Sequence, residues 1–529
     1  MHVCSAIILT MAASTALGQN SPSQKSGLDQ IQTYIASGWD SLTRSPEDCK
    51  TIVDPKVAEE AVVYVPADFE ISGELRGIGD RCHVRVEHLP SVIHRLGEID
   101  AGKISPAGLL YLKNRYVVPG GRFNEMYGWD SYFIIRGLLR DGRIDLAQGM
   151  VENFFFEIEH YGAVLNANRT YYLTRSQPPF LTSMILAVNE AQKAAGREDR
   201  AWLARAYEYA VKDYGLWTRA PHLAGTTGLS RYYDFGDGPA PESLKDEPEY
   251  YRKVEAFFVA HPDTGSNELV SRNGKALLSQ DYYKGDRAMR ESGFDISFRF
   301  GPYGAETHHY APVCLNSLLY KTQEDLAAMS EMLGRTRDAA TWRKQAAERK
   351  ARMQKYLWDN ERGMYFDYDF EKGARSPYEY LTTFYPVWVG VASREQAKSV
   401  TEHLAKFEHA GGLAMSARET GAQWDYPYAW APTQLLAVEG LRKYGYNDEA
   451  NRISYKFLST VLENFRREGT IREKYNAVTR SSETQVTAGY VANVVGFGWT
   501  NGVFLELLRA LPATFVDRLS KDRAPVPIH

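Results

Sequence analysis

From about residue 144 to residue 510 the chain repeats one physical pattern. Apolar residues return with a period near 3.6, and the runs are bounded by glycine, proline or capping residues. In PPFLTSMILAVNEAQKAA, residues 178–195, Leu181, Met184, Ile185, Val188 and Ala191 share one helical face behind a proline start. Thr322-Gln-Glu-Asp325 reads as a capping box with a shortened carboxylate, opening a helix that Gly334 closes. A long helix follows over 338–358, and Ser393-Arg-Glu-Gln396 repeats the capping signal. The pattern also fits 144–159, 200–217, 305–319, 378–390, 428–443, 446–466 and 500–510, with a shorter helix from Leu28 to Leu42. Residues 50–100 are mixed, and HVRVEHL fits a short strand. Strand and helix units do not alternate, which points to an all-α fold of paired helices with long connectors at 224–242 and 360–376.

Charge narrows the partners. A net charge of −4 without a block of like charges argues against nucleic acid and against an acidic membrane surface. The hydrophobic fraction of 44% is ordinary, and no later segment is apolar for 18 uninterrupted residues, so no membrane span is expected. Residues 1–18 hold an apolar run ending in Ala16-Leu17-Gly18, although Lys and Arg are missing ahead of it. This reads as a signal peptide, and hence as a periplasmic or secreted protein. Cys49 and Cys82 are then candidates to pair, while Cys314 in APVCLNSLLY reads as a core thiol. No CxxC or HExxH occurs and the twelve histidines show no ligand spacing, so no metal is expected.

The chemistry-bearing stretch is PGGRFNEMYGWDSYF, residues 119–133, which joins two glycines and an arginine fork to Trp129–Asp130. By itself it fits a loop leading into a helix with core aromatics. QWDYPYAWAP, residues 423–432, again sets tryptophan beside aspartate. Together the two segments resemble the paired signatures of the trehalases, glycoside hydrolase family 37. The first is matched at every fixed position, and the second departs once, at Ala429.

The resemblance implies an (α/α)6 toroid of helical hairpins with long loops around a central pocket. It implies an inverting hydrolase of α,α-trehalose, working as a monomer on a small disaccharide without a cofactor. ESGFDISFRF, residues 291–300, resembles the segment that carries the general acid, which assigns that role to Asp295. REKYN, residues 472–476, resembles the segment of the general base, which assigns Glu473. NANRTYYLTRSQPPF, residues 166–180, implies substrate contacts from Asn166, Arg175, Ser176 and Gln177, joined by Arg122, Trp129, Asp130, Gly293 and Glu242. Two contact positions depart from the family. Ala240 stands where it has arginine, and Tyr490 takes the approximate place of a glutamate before an intact FGWTNGV. Arg290 or Arg231 is expected to fill the gap left at Ala240, unless the substrate is another small α-glucoside. A sugar-binding protein that has lost catalysis is the remaining alternative, and the retention of both carboxyls speaks against it. The expected layout is a signal peptide over 1–18, an N-terminal arm over 19–49, the catalytic domain over 50–515 and a tail over 516–529.

Overall fold

The computed structural model describes residues 26–53, 61–246, 249–264, 267–489 and 492–521. The expected signal peptide and Tyr490 lie outside the described residues. Six helices close a ring: α2 (Asp130–Arg140), α4 (Leu181–Ala194), α7 (Val313–Met332), α9 (Tyr385–Val389), α11 (Ala431–Lys443) and α13 (Gly498–Ala510). Each packs on the next in that order, and α13 returns to α2. Outside them run α3 (Ile144–His160), α5 (Arg200–Trp217), α8 (Thr336–Tyr356), α10 (Arg394–Glu402) and α12 (Asn447–Glu468). The all-α toroid of hairpins expected from the sequence is therefore present.

The sixth outer position brings together the first and last helices of the described residues. α1 (Gly27–Leu42) begins at a complete capping box on Ser26 and Asp29. It buries Leu28, Ile31, Ile35, Trp39 and Leu42 in the main core, against α12 and α13. Five such side chains contribute roughly 1.5–3 kcal/mol each relative to exposure. At the other end, α14 (Ala513–Lys521) packs on α1 and α12.

The 322–334 helix is longer than its capping signal suggested. Thr322 lies inside α7, where its hydroxyl donates to the Leu318 carbonyl at 3.0 Å, one turn back. Asp325 accepts from Thr182 Oγ1 and Lys321 Nζ, both at 2.8 Å, so its carboxylate ties helices together rather than starting one. Conversely, only 385–389 of the expected 378–390 is α-helical, with Gly390 closing it at φ 87°. Before the ring, β1 (Val62–Val65) pairs in parallel with β2 (Arg85–His88) and β3 (Leu109–Leu110). A Cys49–Cys82 disulfide ties the helix at 73–82 back to the segment ahead of this sheet.

Helices α2 and α13 meet backbone to backbone. A Cβ on Gly502 would stand 2.0 Å from the Phe133 carbonyl oxygen, and one on Gly137 would stand 2.7 Å from Gly502 Cα. Gly502→Ala must push the two helices apart. It is expected to lower stability by about 1–3 kcal/mol, read as a fall in the thermal unfolding midpoint. An unchanged midpoint would show that this contact has slack.

Candidate active site

Segments that lead towards five of the inner helices supply the residues of one cavity. Asp130 is the first residue of α2, and Arg175 and Gln177 lie just ahead of α4. Gly293 and Asp295 follow α6 (Gln280–Glu291) on the way to α7. Gln423 to Trp430 lead into α11, and the segment after Glu473 leads into α13.

Buried pairs hold the loops in place. Arg169 Nε donates to Glu125 Oε1 at 2.7 Å, linking the 119–130 loop to the 166–177 loop. Gln177 Oε1 accepts the Trp129 backbone N–H at 2.9 Å. The QWD of the second signature clamps the chain from Asp295 to Phe298. Gln423 Nε2 donates to the Asp295 carbonyl at 2.5 Å, and the Trp424 N–H donates to the Ile296 carbonyl at 3.1 Å. Asp425 accepts from Ser297 Oγ and the Phe298 N–H, each at 2.9 Å. Glu473 precedes β5 (Lys474–Asn476), which pairs antiparallel with β4 (Tyr428–Trp430). Trp499 Nε1 and Thr500 Oγ1 donate to the carbonyls of Glu473 and Arg472, at 3.2 and 2.9 Å.

Ten of the sequence-predicted residues line one cavity: Arg122, Trp129, Asp130, Asn166, Arg175, Gln177, Glu242, Gly293, Asp295 and Glu473. Its empty space is about 800 Å³, open mouth included, which suits a small ligand. Gly293 adopts φ 74°, and a Cβ there would stand 2.9 Å from the Trp129 ring. Ser176 and Ala240 are not on the cavity. Ser176 turns opposite to its neighbours in a non-helical run, and its hydroxyl donates to the Val164 carbonyl at 2.6 Å. Ala240 is fully buried, and its N–H donates to the Tyr251 hydroxyl at 2.6 Å. Arg290 lines the cavity, whereas Arg231 is engaged by the Pro221 and His308 carbonyls at 2.8 Å.

The carboxyls are held in different states. Burial pushes the Asp295 carboxyl up to about 6, against the opposing pull of Arg290 and Arg175. Burial, and then the charges of Glu473 and Asp295, raise Asp130 well above the usual carboxylate range. Burial alone would raise Glu242 too, but Arg175 and then Arg290 outweigh it and hold Glu242 at about 2. Arg175 donates to Glu242, and Arg290 Nη1 stands 3.9 Å from both Glu242 and Asp295. A carboxyl raised by burial, a carboxylate held low by arginines and further polar groups thus share one pocket with aromatic walls. That is the equipment for acid–base cleavage of a bond between neutral sugars.

A family model described as Trehalase matches residues 19–512. The chain belongs to the trehalase family. A probable trehalase from Eremothecium gossypii is 36% identical, over 88% of this chain and 70% of its own. The cytosolic neutral trehalase of Kluyveromyces lactis is 41% identical over 74% of this chain, which spans only 55% of that relative's length. The solved neutral trehalase of Saccharomyces cerevisiae superposes with a TM-score of 0.79 at 34% identity, covering 93% of this chain and 96% of that one. A family 63 mannosylglycerate hydrolase from Thermus thermophilus shares the fold alone, at 17% identity and TM-score 0.51 over 74% of this chain. The chain is thus a glycoside hydrolase of the trehalase type on an (α/α)6 toroid.

One expectation is overturned. The Kluyveromyces and Saccharomyces relatives are named cytosolic, against the signal peptide and the periplasmic or secreted location read from residues 1–18. An apolar run of small residues without a basic lead is a weak export signal. No helix among the described residues is long and apolar enough to cross a membrane.

Sequence reasoning missed much of the aromatic floor. Phe123, Tyr127, Tyr171, Tyr172, Trp424, Trp430, Phe497 and Trp499 also line the cavity. Each lies within or beside a signature, but composition cannot separate a pocket wall from a core ring. Lys474 was missed as well. It is fully buried, and its Nζ donates to Glu473 Oε2 and Gln423 Oε1, both at 3.2 Å.

Proposed function

We propose that the cavity hydrolyses α,α-trehalose with inversion, Asp295 acting as general acid and Glu473 as general base. The observation that carries this is the Asp295 carboxyl, raised to about 6 in the same cavity as Glu473. Asp295 protonates the bridging oxygen as the glycosidic bond breaks. Glu473 takes a proton from a water that attacks the same anomeric carbon from the opposite face. Asp130, Arg175, Gln177, Glu242 and Arg290 supply directional hydrogen bonds to hydroxyls, and Trp129 closes the floor beneath Gly293. The catalytic unit proposed is residues 50–515 with α1 docked on it, acting as a monomer.

Arg290 replaces the guanidinium lost at position 240. Arg290→Met removes a charged donor, which typically costs about 1.5–3 kcal/mol, or roughly ten- to a hundred-fold in kcat/KM. Arg290 is also the main cation opposing the burial of Asp295. Its loss therefore raises the acid further, and the alkaline limb of the pH–rate profile moves up. A limb that stays in place would detach Arg290 from Asp295.

Glucose release from a panel of α-linked glucose disaccharides tests the substrate. Wild type is expected to cleave trehalose in preference to the rest. Inertness on trehalose with cleavage of another α-glucoside would overturn the substrate but leave the family intact.

A further inference from the structure

Outside the sugar cavity, one cluster combines residue types that ordinary ion pairing does not require. We propose that Asp281, His308 and His309 form a binding site for one divalent transition-metal ion, of the zinc, cobalt or nickel class. Their ligand atoms lie within 4.8 Å of one another. His308 Nε2 stands 3.0 Å from Asp281 Oδ1, and His309 Nε2 stands 3.9 Å from the same oxygen. With metal–nitrogen and metal–oxygen bonds of about 2.0–2.2 Å, tetrahedral ligands stand about 3.3–3.5 Å apart. The two observed separations bracket that value, so small side-chain rotations would seat an ion. A His308–Asp281 hydrogen bond explains the first contact. It does not explain why a second imidazole turns onto the same oxygen, with the two rings only 3.9 Å apart between centroids.

Two imidazoles and one carboxylate favour a borderline transition metal over magnesium or calcium, which prefer all-oxygen sets. Water completes the coordination. On metal entry, His308 Nε2 exchanges its hydrogen bond for a metal bond, and the neutral ring carries its proton on Nδ1. The surroundings lean towards a cation. Glu268 and Glu306 are the other acids near enough to Asp281 for their charges to act on one another. Two cations oppose them: Lys372 pairs with Glu306 at 2.7 Å, and Arg231 donates to the His308 carbonyl at 2.8 Å. Access is open, since the Asp281 side chain is 45% exposed and that of His309 is 21%.

The placement gives the ion a structural task. Asp281 lies in the first turn of α6, whose last turn carries Arg290 and leads to Gly293 and Asp295. His308 and His309 close the turn before α7. An ion would clasp the start of α6 to that turn without touching the sugar cavity.

The test uses the full chain after treatment with EDTA, titrated with Zn²⁺ by calorimetry and with Co²⁺ by visible absorption. One equivalent should bind in the micromolar range or tighter, and excess Zn²⁺ should raise the unfolding temperature. His309→Ala removes a partly exposed side chain and should leave the metal-free unfolding temperature unchanged, while weakening Zn²⁺ at least tenfold and abolishing the thermal shift. Asp281→Asn should weaken binding similarly. Absence of binding in wild type, or wild-type affinity in either variant, would overturn the site.

Discussion

Asp295→Asn lowers kcat on trehalose by about 10²–10⁴-fold, the usual contribution of a positioned acid. The amide keeps the shape of the side chain and its place beside Arg290, but it has no acidic proton to give to the leaving oxygen. With burial raising Asp295 to about 6, a reaction that uses its protonated form is expected to slow as pH rises through that value. The sign follows from the role: below about 6 the acid is loaded, and above it the proton is gone. In Asp295→Asn that alkaline limb should vanish together with the rate. KM should change little, since Asp130, Arg175, Gln177 and Glu242 still line the cavity. A variant that keeps near wild-type kcat would remove Asp295 from the chemistry.

Glu473→Gln is expected to cost a similar ~10²–10⁴-fold, for the opposite reason. A base must accept a proton from the attacking water, and an amide does not. The substitution keeps the backbone tie of Glu473 to Val494 at 3.0 Å and the donation from Trp499 Nε1, so the fold should be undisturbed. Lys474 is the complication. Its buried ammonium donates to both Glu473 and Gln423, and the variant leaves it a neutral partner in place of a carboxylate. Some loss of stability is therefore expected, and the unfolding midpoint separates it from the loss of rate. If Glu473→Gln lost stability but kept its rate, Glu473 would be a structural partner of Lys474 rather than the base.

Much of the site was legible because its chemistry is concentrated in short segments with unusual neighbours. Trp129–Asp130, Arg175, Gln177 and Asp295 all reach the cavity as expected. What a one-dimensional reading loses is direction. Ser176 sits between two cavity residues and turns away from both, a distinction set by the backbone and not by residue type. Ala240 appeared as a missing contact, yet it is an interior position off the cavity, whereas Arg290, fifty residues further on, lines it. Ring closure was equally hidden. The apolar stripe of α1 announces an amphipathic helix, but nothing local says that its partners α12 and α13 begin more than 400 residues later. The capping signal at Thr322 misled for a related reason: a threonine that can cap a helix can also bond back one turn inside it.

The central claim, a direct displacement by water at one anomeric carbon, is tested by proton NMR of the first products, recorded faster than glucose mutarotates. Inversion converts one glucose of α,α-trehalose to the β-anomer and releases the other as the α-anomer, so equal amounts of α- and β-glucose are expected at the earliest times. Initial release of α-glucose alone would mean retention, and would contradict the roles given to Asp295 and Glu473.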